Sequence, residues 1–312
     1  MKKTAFLFPG QGSQSIGMGQ EFYQEYDTVR EIFDMAEETT RINLAKLCFK
    51  GPMEDLTMTV NLQPAVTAVN LACLAVIQKE RIPASYFAGH SLGEYSALCA
   101  TGAITRQDTC SLVFKRGELM HREATQYEGA MHALVGLTID DVDTIVNQIQ
   151  RKGAVSVANH NTEKQIVITG APEAVSAVSS LAVEKGAKSI PLKVSGAWHS
   201  SLIQGAQPEF EEFISRFSFS SPQGTIIFNV TAEPEKDPDA IKAIMVRQLC
   251  SPVKWFDSMR RLVEAQMEIF VEVGPGRVLS GLLKKILPDN FHGETYNVSN
   301  MKQLEKFLKE TT

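Results

Sequence analysis

The sequence predicts an α/β fold: a large domain with a parallel sheet, interrupted by a smaller ferredoxin-like α+β unit. Three observations carry this expectation. Short apolar runs that end in glycine or proline loops recur along the chain, as in "TAFLFPG", "YFAGHS" and "MEIFVEVGPG", and they read as buried strands. Between them lie helical stretches such as Gln63 to Gln78, where Ala65, Val69, Ala72 and Val76 recur at spacings of three and four. Strands alternating with helices imply a sheet that is largely parallel and covered by helices. The third observation is a middle segment with a rhythm of its own.

That segment predicts six elements in order. "AMHALVGL" is a strand, and "TIDDVDTIVNQIQRKG" is a helix opened by a Thr/Asp cap and closed by Gly153. "AVSVANHN" and "QIVITG" are two strands around the polar turn "TEK". "APEAVSAVSSLAVEKG" is a second helix with Pro172 near its start and Gly186 at its end, and "AKSIPLKVS" is the closing strand. Strand, helix, strand, strand, helix, strand is the ferredoxin-like order, and such a unit can be inserted into a larger domain without disturbing its core. The expected division is an insert over 128–196, with 1–127 and 197–312 forming the larger domain.

Composition narrows the function. With 312 residues and 44% hydrophobic content the chain can bury a sizeable core. A formal charge of −5 argues against a non-specific grip on phosphate backbones, so nucleic acid is not an expected partner. The start "MKKTAFLFPGQG" is too short in apolar residues for a signal segment, and no run of ~18 apolar residues follows. A cytoplasmic location and no membrane partner are the expectations. Cys48, Cys73, Cys99, Cys110 and Cys250 are scattered, odd in number and without CxxC spacing, which indicates neither a disulfide framework nor a metal site.

The stretch "GHSLGEYSALCATGAI" carries the chemistry. Ser91 lies at the end of an expected strand, flanked by Gly89 and Gly93 and followed by a helical run, which is the context of a nucleophile elbow. A strand turning straight into a helix strains the central residue, and glycines two positions away let the chains approach. The Ser91 hydroxyl then projects from the turn, while the Leu92 amide and the helix N-terminus can stabilise an oxyanion. A bare G-x-S-x-G is also a common structural turn. A serine needs a base in hydrogen-bond reach. Of the six histidines, His90 adjoins the serine and on a tight turn points away from it, supporting the loop. His199, in "VSGAWHSS", sits just after the insert where the chain re-enters the large domain.

Seven motifs, "FPGQGSQSIGMG", "GHSLGEYSAL", "KRGELM", "NHNTEKQIVITG", "VSGAWHSSL", "QLCSPVKW" and "EVGPGRVLSGLLK", occur in the order found in malonyl-CoA:acyl carrier protein transacylases, which the chain resembles over nearly its whole length. The resemblance implies an α/β-hydrolase-like large domain with an inserted ferredoxin-like subdomain. It implies transfer of an acyl group from coenzyme A to the phosphopantetheine thiol of a carrier protein, through a malonyl-serine intermediate. Ser91 is then the nucleophile, His199 the base that also protonates the departing thiolate, and Gln11 the donor of a second oxyanion-hole amide beside Leu92. The family orients its histidine with a backbone carbonyl, matching Gln248 here, in place of an aspartate. Such a group fixes the tautomer less strongly than a carboxylate.

The resemblance also assigns substrate contacts. Arg116 matches the arginine whose guanidinium grips the free malonyl carboxylate with two parallel hydrogen bonds; without the family, "FKRGELMHRE" is simply a charged helix. Gln63 and Asn161 match pocket-lining positions, although polar residues at helix starts and strand ends also have capping roles. Trp198 departs from the small residue or phenylalanine common before the base. Facing the acyl pocket it crowds a branched substituent and favours malonyl over methylmalonyl; facing outward it does neither. No cofactor and no metal is expected beside the substrates malonyl-CoA and phosphopantetheinyl acyl carrier protein, and the chain is expected to be a monomer that meets an acidic acyl carrier protein through a local basic patch, for which Lys284 and Lys285 are candidates. Rival readings are a hydrolase of acylated carrier proteins, which has no use for a buried arginine, a non-catalytic carrier-binding module, which would need no elbow, and a free-standing acyltransferase serving a polyketide synthase.

Overall fold

In a computed structural model, which describes residues 2–151 and 153–311, the chain builds two separate sheets. Met1, Lys152 and Thr312 lie outside the described residues, including the part of the expected helix and domain ranges that falls on them. The strands are β1 (Thr4–Phe8), β2 (Tyr86–Gly89), β3 (Ala130–Val135), β4 (Val155–Thr162), β5 (Gln165–Gly170), β6 (Lys188–Pro191), β7 (Thr225–Ile227), β8 (Ile269–Val273) and β9 (Glu294–Val298).

The larger sheet has the order β7-β2-β1-β8-β9, and every pairing in it is parallel. Its strands are short and apolar because helices cover both faces, so alternation with polar residues is not required; β1 and β8 are buried at every position. Between β1 and β2 runs the helix Thr59–Lys79, all of it buried from Leu62 to Ile77. By length and composition this helix could cross a bilayer, although Gln63, Thr67 and Asn70 interrupt its apolar run, and it is the central helix of the protein core. Its polar member Asn70 is used internally, donating to the Pro9 carbonyl (3.0 Å) and to Ser96 Oγ (3.2 Å), which ties the loop after β1 to the helix after β2.

The smaller sheet, β4-β5-β3-β6, is antiparallel throughout, the order of a ferredoxin-like unit. Its two helices bury their own apolar cluster, including Leu134, Val142, Ile145, Ile166, Ile168, Val175 and Val178. The helix Ile139–Ile149 starts with a Thr138–Asp141 capping box as the sequence implies, but ends before Arg151, short of the expected stop at Gly153. The Gln150 amide closes its last turn on Val146. The helix Pro172–Glu184 has Pro172 in its first turn and ends in a Schellman motif: Gly186, at φ 93°, donates to the Val183 carbonyl and Ala187 to that of Ala182. β4 meets the larger unit directly, since the His160 amide donates to the Val253 carbonyl and the Val253 amide to that of Ala158.

Candidate active site

The site lies at the carboxyl ends of β1 and β2, where loops of a parallel sheet project together. Phe8 pairs with Gly89 in register, so the loop Pro9–Gly12 and the turn His90–Gly93 lie side by side. A Cβ on Gly10 would stand 2.4 Å from the His90 carbonyl oxygen, so only glycine permits this approach. At the turn, a Cβ on Gly89 would stand 1.9 Å from the Gly93 carbonyl carbon, and one on Gly93 would stand 2.0 Å from the Phe8 carbonyl oxygen. Ser91 between them is held at φ 50°. His199 is likewise left-handed, at φ 60°. Two non-glycine residues in this strained region, facing each other, are a mark of a working site.

The Ser91 hydroxyl and His199 Nε2 are 2.8 Å apart, and His199 Nδ1 donates to the Gln248 carbonyl oxygen at 2.9 Å. With Nδ1 carrying the proton, Nε2 has a lone pair for the serine. Burial is the main cause that pushes the His199 pKa down to about 3, with the Arg116 charge acting in the same direction. The imidazole is therefore neutral, the form a base requires.

Arg116 reaches this pair from the helix Arg106–Gln126. Its neighbour Gly117 lets that helix approach the start of the central helix, where an added Cβ would be 3.1 Å from the Thr59 carbonyl oxygen. The guanidinium is 1% exposed, donates to Gln63 Oε1 (2.9 Å), Gln248 Oε1 (3.1 Å) and Ser91 Oγ (3.1 Å), and lies over the Tyr95 ring. Its Nε has no protein partner, and no carboxylate oxygen lies within 4.0 Å of it among the described residues. Burial lowers its pKa, with Tyr95 and Glu94 opposing. A buried cation without an ion pair is costly, and an entering carboxylate relieves that cost.

A cavity of about 110 Å3 opens over Ser91 and is lined by Gln11, Leu92, Arg116, Trp198 and His199 among others. Trp198 thus faces the pocket, and its ring packs where a Cβ on Gly196 would stand 2.8 Å away. Met120, Met131, Leu192 and Val194 supply the apolar wall, the last two from the chain that leaves β6. The two largest of four larger surface clefts, of about 450 and 580 Å3, contain no nucleophile–base pair.

Two sequence candidates sit one step back from the cavity. Gln63 touches Arg116, and Asn161 Oδ1 pairs with His90 Nε2 at 2.9 Å, while Asn159 lines the cavity. His90 stands against the Trp255 ring and supports the loop. Lys284 and Lys285 are exposed just past the helix Val278–Leu283, with Lys285 Nζ donating to Gln165 Oε1 at 3.4 Å. Two residues that the sequence did not single out complete the site. Asn229 Oδ1 accepts from the Ser91 amide (2.7 Å) and its Nδ2 donates to the Gly89 carbonyl (2.8 Å). Glu94 is fully buried beneath them, a lone acid among small helix-forming residues.

Compared with known proteins, residues 5–307 match the acyl transferase domain family. The chain is 40% identical over 307 residues to the malonyl CoA-acyl carrier protein transacylase of Bacillus subtilis, covering 98% of this chain and 96% of that protein. It superposes on the acyl carrier protein S-malonyltransferase of Vibrio cholerae with a TM-score of 0.93 at 36% identity, covering 98% and 99% of the two chains. A malonyl-transacylase solved in complex with a type II polyketide acyl carrier protein superposes at 0.94 with 34% identity, over 99% and 100%.

Proposed function

The chain belongs to the acyl transferase family, and from that premise we propose that it moves a malonyl group from malonyl-CoA to the phosphopantetheine thiol of an acyl carrier protein. The observation that carries this reading is Arg116, a buried guanidinium in direct contact with no carboxylate among the described residues and standing 3.1 Å from the nucleophile. A malonyl carboxylate supplies a direct ion pair and places the thioester carbon over Ser91 Oγ.

Ser91 Oγ attacks the thioester carbonyl as its proton passes to His199 Nε2. The amides of Gln11 and Leu92 hold the resulting oxyanion. Collapse breaks the C–S bond, the coenzyme A thiolate takes the proton from His199, and a malonyl ester remains on Ser91. The carrier thiol then attacks that ester, giving its proton to His199. Release of malonyl-carrier returns the proton to Ser91 Oγ. Gln248 holds the imidazole through its carbonyl, and Gln63 holds Arg116. The 2.8 Å and 2.9 Å bonds on either side of His199 support these roles. The reaction runs on these side chains, the malonyl-CoA thioester and the carrier thiol, with no resident cofactor or metal.

We assign the insert to 128–196, take the enzyme as a cytoplasmic monomer, and keep Lys284 and Lys285 as carrier-docking candidates. The five free thiols support a reducing compartment. The test is incubation with malonyl-CoA and a phosphopantetheinylated carrier protein. Malonyl-carrier formed together with one equivalent of free coenzyme A supports the transfer; free malonate in its place identifies a hydrolase.

A further inference from the structure

We infer that Glu94 is a positioning residue of this site: its buried carboxylate holds the backbone of Asn229 and the side chain of Gln248, the two residues that clamp Ser91 and His199 in reacting geometry. This rests on the acyl-transfer reading above. Glu94 Oε1 accepts from the Asn229 backbone N–H at 2.6 Å, and Oε2 accepts from Gln248 Nε2. Asn229 grips the strained turn from one side, through the Ser91 amide and the Gly89 carbonyl. Gln248 grips it from the other. Its Nε2 donates to the Ser91 carbonyl (2.8 Å), its Oε1 accepts from Arg116, and its own carbonyl accepts from His199. One residue thus touches nucleophile, base and cation together. Its amide has a single workable orientation, because reversing it would set an NH2 against Arg116 and an oxygen against both the Ser91 carbonyl and the Glu94 carboxylate.

Both Glu94 oxygens accept N–H groups, which suits the ionised form. A protonated carboxyl would present an O–H to donors that cannot accept it. The titratable groups around Glu94 are Arg116 on the helix Arg106–Gln126, Tyr95 beside it, and His90 and His199 across the Ser91 turn; Asn229 and Gln248 present neutral amides. Burial raises the Glu94 pKa to about 7, against the hydrogen bonds from Asn229 and Gln248 and the attraction of Arg116. His199 remains neutral far below that pH. Protonation of Glu94 is therefore expected to loosen the clamp and slow acylation on the acid side.

The experiment is single-turnover acylation by malonyl-CoA from pH 5 to 9, for wild type, Glu94→Gln and Glu94→Asp. Wild type is expected to slow as pH falls through about 7. Glu94→Gln keeps the size, loses one acceptor, and is expected to acylate roughly 10- to 100-fold more slowly, with half-saturation by malonyl-CoA within about 3-fold and a flat profile. Glu94→Asp is expected to keep the acid limb and recover part of the rate. A Glu94→Gln enzyme with wild-type rate and profile overturns the inference, as does one that loses only affinity. If that variant does not fold, the wild-type and Glu94→Asp profiles decide together: a limb whose midpoint moves with the aspartate supports the clamp, and a limb that does not move, or a flat rate down to pH 5, overturns it. Wild type that acylates at no pH refutes the transfer reading itself, a separate failure.

Discussion

Replacing Arg116 by alanine tests the sharpest chemical claim of the site. The guanidinium is 1% exposed, held by Gln63, Gln248 and Ser91, and its Nε has no hydrogen-bond partner among the described residues. Two unit charges about 4 Å apart attract by about 4 kcal/mol at an effective dielectric constant of about 20. Breaking a buried pair from one side costs about 3–5 kcal/mol, because the remaining charge is left desolvated. At about 1.4 kcal/mol per tenfold, Arg116→Ala should lower kcat/KM for malonyl-CoA by about 10²–10⁴-fold. Acetyl-CoA behaves differently. Lacking a carboxylate, it leaves the wild-type cation unpaired, so the substitution relieves a penalty instead of creating one. The assay is kcat/KM for both thioesters with a carrier protein as acceptor, and the malonyl-to-acetyl ratio should fall by about 10² or more. A ratio that stays constant while both rates drop would show that Arg116 supports the fold of the site without reading the carboxylate.

Other expectations follow from the same geometry. His199 is buried neutral with its pKa near 3 against 6.5 when free, so the unfolded chain binds its proton first as pH falls. Stability should therefore drop from pH 6.5 downward, by about 1.4 kcal/mol per unit at most, and His199→Gln should flatten that loss in urea midpoints measured across pH. Asp108, Asp140, Asp141 and Asp143 replaced singly by Asn should each leave turnover within a few-fold, because His199 Nδ1 already donates to the Gln248 carbonyl. A true triad aspartate would cost about 10⁴, and such a loss at any of the four would overturn the dyad. Trp198 borders the cavity, so Trp198→Phe should raise methylmalonyl relative to malonyl transfer by about 10-fold, the effect of one relieved methyl contact; an unchanged ratio in competition assays would remove Trp198 from selectivity.

What was legible in the sequence is what local chemistry encodes. "FAGHSLGEYSA" states its turn outright, because two glycines around a serine at the end of an apolar run have few other uses, and their close contacts explain why. The Thr138 and Pro172 helix starts and the Gly186 stop are local as well. Long-range partnerships are not. Asn229 and Ser91 are 138 residues apart in the chain, and an asparagine in "IFNVTAEP" has no feature that names its partner. Gln248 acts on His199 through its backbone carbonyl, which every residue has, so only resemblance could point to it. Glu94 left a faint signal, a carboxylate in a run otherwise small or apolar. The burial of Arg116 was hidden by the charged neighbours in "FKRGELMHRE", where the useful mark was Gly117, placed for helix contact.

The most direct test of the account is intact mass spectrometry of the protein mixed with malonyl-CoA and no carrier, followed by peptide mapping. The account predicts one malonyl adduct per chain, located on Ser91, discharged when phosphopantetheinylated carrier protein is added, and absent in a folded Ser91→Ala variant. An adduct that persists in Ser91→Ala, or one that carrier protein does not discharge, would contradict it.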